Sequence, residues 1–327
     1  MKAIKFFAIT AMAAAMITSC STDDELSQSN YPSDNIIRVT AGVNNAKTRA
    51  DGAGTEMDKD FSLTIVNKNA PKYTYTDKVF SKSSGDWACS ETLLWQKSDA
   101  LVDIVAFAPA QTGKFNGVYA EGSIQPIAYS VASDQSEKSD NNDLLYYYAK
   151  DFNPGKGLVD KKLSIKFNHA FCMIDINVTL GTEFNKPKVL DDSPIIKVTL
   201  GGTKIAANVN VTNAASVVTA SETAAATDIT TTKGSFTKAA NAEANAISRF
   251  SCIAIPQKVG ANTFKVSLMT AGKRYEWTSD KEITLQSGYR YTLNLTMGND
   301  VVLLKGGSDG ITATKWTEGT GGSLETE

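Results

Sequence analysis

Apolar side chains recur at every second position along much of the chain, which is the period of strands with one wet face and not of helices. Tyr289, Tyr291, Leu293, Leu295 and Met297 alternate with Arg290, Thr292, Asn294 and Thr296. Phe264, Val266 and Leu268 do the same before Ala271-Gly272-Lys273, a turn that leads back through Tyr275 and Trp277. Together they predict a closing β-meander. Between Leu163 and Leu180 the alternation changes phase, from Leu163, Ile165, Phe167 to Cys172, Ile174, Ile176, Val178. A one-residue slip turns the buried face over, so Asn168-His169-Ala170 is predicted to hold a bulge or kink, with the His169 ring capping backbone groups left unpaired there. Near the start, Ile37, Val39, Ala41 and Val43 alternate with Arg38, Thr40 and Gly42, a first strand with one apolar side.

Helical signals are few. Asp143 to Ala149 reads as a short turn at most, since Asn153-Pro154-Gly155 stops it at once. Residues 206–248 are rich in Ala, Thr and Asn and predict strands between long loops. Gly181 to Pro194 is loop-like and Ile195 opens a new strand, which places a domain boundary there. The predicted architecture is all-β: two tandem β-sandwich domains, residues 35–185 and 186–327.

The first residues read as an address. Lys2 and Lys5 precede the apolar run Phe6 to Ile17, too short to span a bilayer and suited to a secretory signal. Met16-Ile17-Thr18-Ser19-Cys20 resembles the lipobox of bacterial lipoproteins, which makes residues 1–19 a signal peptide and Cys20 the lipidated first residue. Residues 20–34 form an acidic tether through Asp23-Asp24-Glu25, similar to the surface-export signal of Gram-negative outer-membrane lipoproteins. Several acyl chains on one cysteine anchor a protein stably where one does not. Export permits disulfides, yet Cys89, Cys172 and Cys252 admit one pair at most, and buried free thiols are the expectation.

Composition then removes whole classes of function. The 327 residues carry a net charge of −2 with five arginines, so no basic stripe awaits nucleic acid. A single histidine excludes sites built on two imidazoles. Gly306-Gly307-Ser308-Asp309-Gly310 matches a nucleophile elbow in spelling alone, with no strand-turn-helix around it. Nucleotide loops are absent, and the acidic stretch Asp134 to Asp143 lacks calcium-loop spacing and reads as a solvated loop. The four tryptophans and eleven tyrosines read as core and edge residues before they read as a sugar-stacking surface. Neither an enzyme, a cofactor nor a metal site is expected.

Five segments, taken in order, resemble the fimbrillin family of type V pilus subunits and their lipoprotein relatives. They are Trp95 with Ala100 to Pro109, Asn142 to Tyr146, Leu163 to Ala170, Gly288 to Leu293, and Ile311 to Trp316. The resemblance implies two transthyretin-like β-sandwich domains and a structural role in a fimbrium on the cell surface. It implies export as an outer-membrane lipoprotein, removal of the N-terminal segment by an arginine-specific protease, and capture of a strand from a neighbouring subunit. Here Arg49, in the polar loop Asn44 to Gly54, is the expected processing point, with Ala50 as the new start; it reads equally as a solvated loop charge. The displaced strand would carry Ile37, Val39, Ala41 and Val43. The donated strand would come from Val301, Val302, Leu303, Leu304, Ile311 and Trp316, although Thr317 to Glu327 continues beyond it and leaves open which strand is donated. Two other functions stay open: an anchor subunit that keeps its lipid, and a non-polymerising surface adhesin for a glycan or host protein.

Overall fold

A computed structural model describes residues 30–44, 57, 59–112, 124, 126–137, 142–186, 188–305 and 310–316. In chain order the strands are β1 (Val39–Val43), β2 (Phe61–Val66), β3 (Tyr75–Ser83), β4 (Asp86–Cys89), β5 (Val102–Ala108), β6 (Ile127–Ser130) and β7 (Leu145–Phe152). There follow β8 (Leu163–His169), β9 (Cys172–Leu180), β10 (Ile195–Gly201), β11 (Ala206–Val209), β12 (Val218–Ala220), β13 (Ile229–Thr230), β14 (Thr232–Thr237) and β15 (Ala246–Ala254). The last are β16 (Lys258–Val259), β17 (Lys265–Thr270), β18 (Arg274–Thr278), β19 (Ile283–Thr284), β20 (Tyr289–Met297), β21 (Val302–Leu304) and β22 (Ile311–Lys315). Helix among the described residues is confined to single turns such as Pro154–Gly157. The protein is all-β, as the alternation predicts.

Strands β1-β8-β7-β5-β2-β3-β4 form a seven-stranded sheet in that order. Its β3–β4 hairpin closes through Ser84 and Gly85, both left-handed at φ 52° and 96°, the two-residue turn whose twist matches that of paired strands. A six-stranded sheet runs β14-β15-β9-β20-β21, with β22 also paired to β20, and a four-stranded sheet runs β13-β10-β17-β18. Strand β6 joins β11 and β12 in a fourth, three-stranded sheet, so residues 127–130 lie beside residues 206–209.

Two hydrophobic clusters hold these sheets. One gathers Phe61, Leu63, Ile104, Leu163, Ile165 and Phe167 under the seven-stranded sheet. The other gathers Ile174, Ile176, Leu200, Phe264, Leu268 and Leu293 between the later sheets. Strand β5 serves both, giving Ile104 and Ala106 to the first and Val105 and Phe107 to the second. Every one of its residues is buried, which explains why Ile104 to Ala108 form a continuous apolar run without alternation.

The structure corrects four local expectations. Residues 143–149 form no turn of helix, since Tyr146, Tyr147 and Tyr148 lie in strand β7, wedged between the two cores. The phase change after Phe167 is not a bulge within one sheet. The chain leaves the seven-stranded sheet at His169 and enters the six-stranded one at Cys172, with His169 to Cys172 all buried. The chain thus passes from one sheet to the other across residues 169–172. The closing segments are not one meander either. Strands β17 and β18 form the predicted hairpin in the four-stranded sheet, but β20 lies in the six-stranded sheet, parallel to β9. Finally, Cys89 is a partly exposed free thiol, whereas Cys172 and Cys252 are the buried free thiols expected.

Candidate functional site

Two edge strands contain the residues singled out from the sequence. The first is β1, which pairs only with β8 and runs parallel to it, Val39 opposite Leu163 through Val43 opposite Phe167. Its ladder extends on both sides: Leu163 N–H donates to Arg38 O at 2.8 Å and Asn44 N–H to Phe167 O at 2.6 Å. Just before the strand, Ile37 N–H reaches Leu93 O at 2.9 Å and Trp95 N–H reaches Asn35 O at 2.8 Å. Residues 35–43 thus fill a slot between β8 and the segment 93–95. Ile37 and Val39 are buried in the first core, Ala41 and Val43 pack partly against it, and Arg38 and Thr40 face solvent. An Asx turn sets the entry, with Asp34 accepting Ile36 N–H at 3.0 Å. Asp34 also takes both Arg38 Nη1 at 3.0 Å and Nη2 at 2.6 Å, and that guanidinium holds its carboxyl down at about 2.

The second edge is made by β21 and β22, which lie end to end along the same side of β20. Val302 to Leu304 face Met297 to Leu295, and Ile311 to Lys315 face Leu293 to Tyr289. Val302 and Trp316 are buried, Leu304 and Ile311 partly so, and Val301 and Leu303 point into solvent. A groove of about 530 Å³ runs beside this edge, floored by Trp277, Ile283, Tyr291, Leu304 and Ile311. Burial pushes the Tyr291 hydroxyl up to about 12, and it stays protonated between Gln286 N–H and Thr284 O, both at 2.9 Å.

Between the two edges stands His169. Its ring caps no bulge, contrary to expectation: Nδ1 lies 3.0 and 3.1 Å from the two carboxylate oxygens of Asp143. Its face stacks on Trp316 with ring centroids 3.7 Å apart and planes 10° from parallel. Gly288, left-handed at φ 70°, opens β20 beside this pair and accepts the Trp316 N–H at 2.7 Å. The sequence offered no sign of this pairing, because His169 read as the cap of a bulge and Trp316 as a core or edge residue. Cys20, Arg49 and Ala50 lie outside the described residues.

Residues 48–316 match the sequence model of the family described as fimbrillin-like. No curated protein matches the chain. Among solved structures, a protein from Bacteroides ovatus named for cell adhesion superposes with a TM-score of 0.61 at 17% identity, covering 87% of this chain and 99% of that one. One of similar name from Bacteroides uniformis gives 0.57 at 15% identity over 88% and 100% of the two chains. A fimbrial protein from Bacteroides vulgatus gives 0.54 at 15% identity over 86% and 99%.

Proposed function

This chain belongs to the fimbrillin-like family, and from that premise we propose that it is a structural subunit of a cell-surface fimbrium that assembles by donor-strand exchange. In this reading Cys20 carries the lipid that delivers the subunit to the outer membrane, and the body is a tandem of transthyretin-like units. An arginine-specific protease cuts after Arg49, leaving Ala50 to Glu327. The segment through β1 then departs, and the closing strand of a neighbouring subunit takes its place.

The observation that carries the proposal is the way residues 35–43 are seated. They form an edge element, bonded to β8 on one side and to Leu93 and Trp95 on the other, whose apolar side completes the first core. Its departure leaves unpaired ladder groups above an apolar slot, the vacancy that strand addition fills. Ile37 and Val39 each contribute about 1.5–3 kcal/mol by burial, so the vacancy is costly until refilled. The family match begins at residue 48, beside Arg49, and leaves β1 outside it, in keeping with a mature subunit that lacks this strand.

The test is the N-terminus of the protein recovered from native cell surfaces, read by intact mass spectrometry. A chain starting at Ala50 is the expected result. A chain starting at an acylated Cys20 overturns the polymerising role and leaves a lipid-held anchor or a standing surface adhesin.

A further inference from the structure

We propose that Trp316 is a latch that retains the closing strand on its own chain, and that the junction it closes on is also held by the first strand, so that loss of β1 loosens the latch. The purpose of such a latch rests on the assembly reading above; its existence is a property of the single subunit.

Three observations meet at one place. Residues 312–315 are exposed, and β22 is fixed at its far end by the buried Trp316 ring. That ring lies flat on His169, and His169 is held by Asp143, whose side chain is itself 13% exposed against 2% for the histidine. The buried, stacked Trp316 ring is the main apolar anchor of β22, since the strand itself offers ladder bonds and little apolar burial. The third observation lies on the other side of the same strand end. Asn44, immediately after β1, donates its backbone N–H to Phe167 O and its side-chain Nδ2 to Asn168 Oδ1 at 3.0 Å. Phe167 and Asn168 lead directly into His169. A cavity of about 170 Å³ is lined by Asn44, Asn168, His169, Gly288, Lys315 and Trp316 together.

The end of β8 is therefore clasped from two directions, by the end of the first strand and by the end of the last. Removing residues up to 49 takes away Asn44 and the ladder along β8, so the platform under Trp316 loses the contacts it draws from the first strand, while β7 and Asp143 still hold it. The closing strand then opens more often. An emptied acceptor slot and a freed donor strand arise from one event, and an unprocessed subunit keeps both closed. This order suppresses premature joining during export.

Hydrogen exchange read by mass spectrometry on the full chain tests the latch without reference to polymerisation. Trp316→Ala should raise exchange across residues 302–304 and 311–316 about tenfold while β9 and β15 stay protected, because local opening and not global unfolding is affected. Trp316→Phe should restore most of the protection. Asn44→Ala should raise the same segment's exchange by about threefold, and cutting the chain after Arg49 with an arginine-specific protease should raise it further. Unchanged exchange in Trp316→Ala overturns the latch. Raised exchange there, with none in Asn44→Ala or the cut chain, overturns the coupling to β1. Joining is measured separately, by mixing Trp316→Ala with chain cut after Arg49. A segment that opens freely but never joins a cut subunit sinks the donor-strand reading and leaves the latch standing.

Discussion

The two edge strands of this protein are built on opposite plans. The first-strand segment, residues 35–43, is short but deep, bonded to β8 along β1 and to Leu93 and Trp95 just before it, and inserted by Ile37 and Val39 into the first core. The β21–β22 edge is longer but shallow, bonded along one side and buried chiefly at Val302 and Trp316, with Leu303 58% exposed. A deep edge strand leaves only at high free-energy cost, so its removal calls for breaking the chain. A shallow one pinned at its end opens at lower cost, because it withdraws chiefly Val302 and Trp316 from the second core. In the assembly proposed above, acceptor and donor roles follow burial, not strand length or β-propensity.

The largest expected effect sets these plans against each other. Ile37→Ala should cost about 2–4 kcal/mol in chemical denaturation, as for other buried large-to-small changes. Leu303→Ala should stay within about 0.5 kcal/mol of the parent, as surface substitutions do. Equal costs at the two sites would erase the distinction between a deep and a shallow edge.

Much of this plan was legible in the sequence, and the illegible part has a physical cause. Alternation found β1, β8, β9, β17, β18 and β20 because each has one face in a core and one toward water or a polar neighbour. It failed at Tyr146-Tyr147-Tyr148, where both faces are covered and no polar beat survives. The phase slip at residues 168–170 was visible, but alternation cannot distinguish a bulge from a strand that changes sheets. The parallel pairing of β20 with β9 and the stacking of Trp316 on His169 join segments remote in the chain, and nothing local encodes such a meeting. The lipidation and processing expected at Cys20 and Arg49 are the reverse case, readings of the sequence that lie outside the described residues.

The thiols provide a smaller and more local probe of the same contrast. Cys89 packs against the first core at its partly exposed margin, whereas Cys172 and Cys252 sit in the second core, where burial pushes both thiols far up and keeps them protonated. Since the thiolate is the reactive form, Cys89 should be alkylated in the folded protein and the other two only on unfolding. Loosening the first edge by Ile37→Ala should speed labelling at Cys89 and leave Cys172 and Cys252 silent. Labelling of all three together would mean that the two cores open as one.

The smallest effect belongs to the clamp at the mouth of the first strand. The Arg38 guanidinium and the Ile36 N–H hold the Asp34 carboxyl at about 2 against an ordinary 3.8. A folded value below the unfolded one means stability that is fully present above about pH 4 and is lost as pH falls through 3.8 toward 2. Asp34→Asn removes this contribution, so the difference between parent and variant should be level above pH 4 and shrink between pH 4 and 2. Both partners are exposed, at 42% and 44% of their side-chain surface, so the difference should be slight and should diminish further in high salt. A difference independent of pH across that window would assign Asp34 to the Asx turn alone, with the Arg38 pair contributing nothing to the seating of β1.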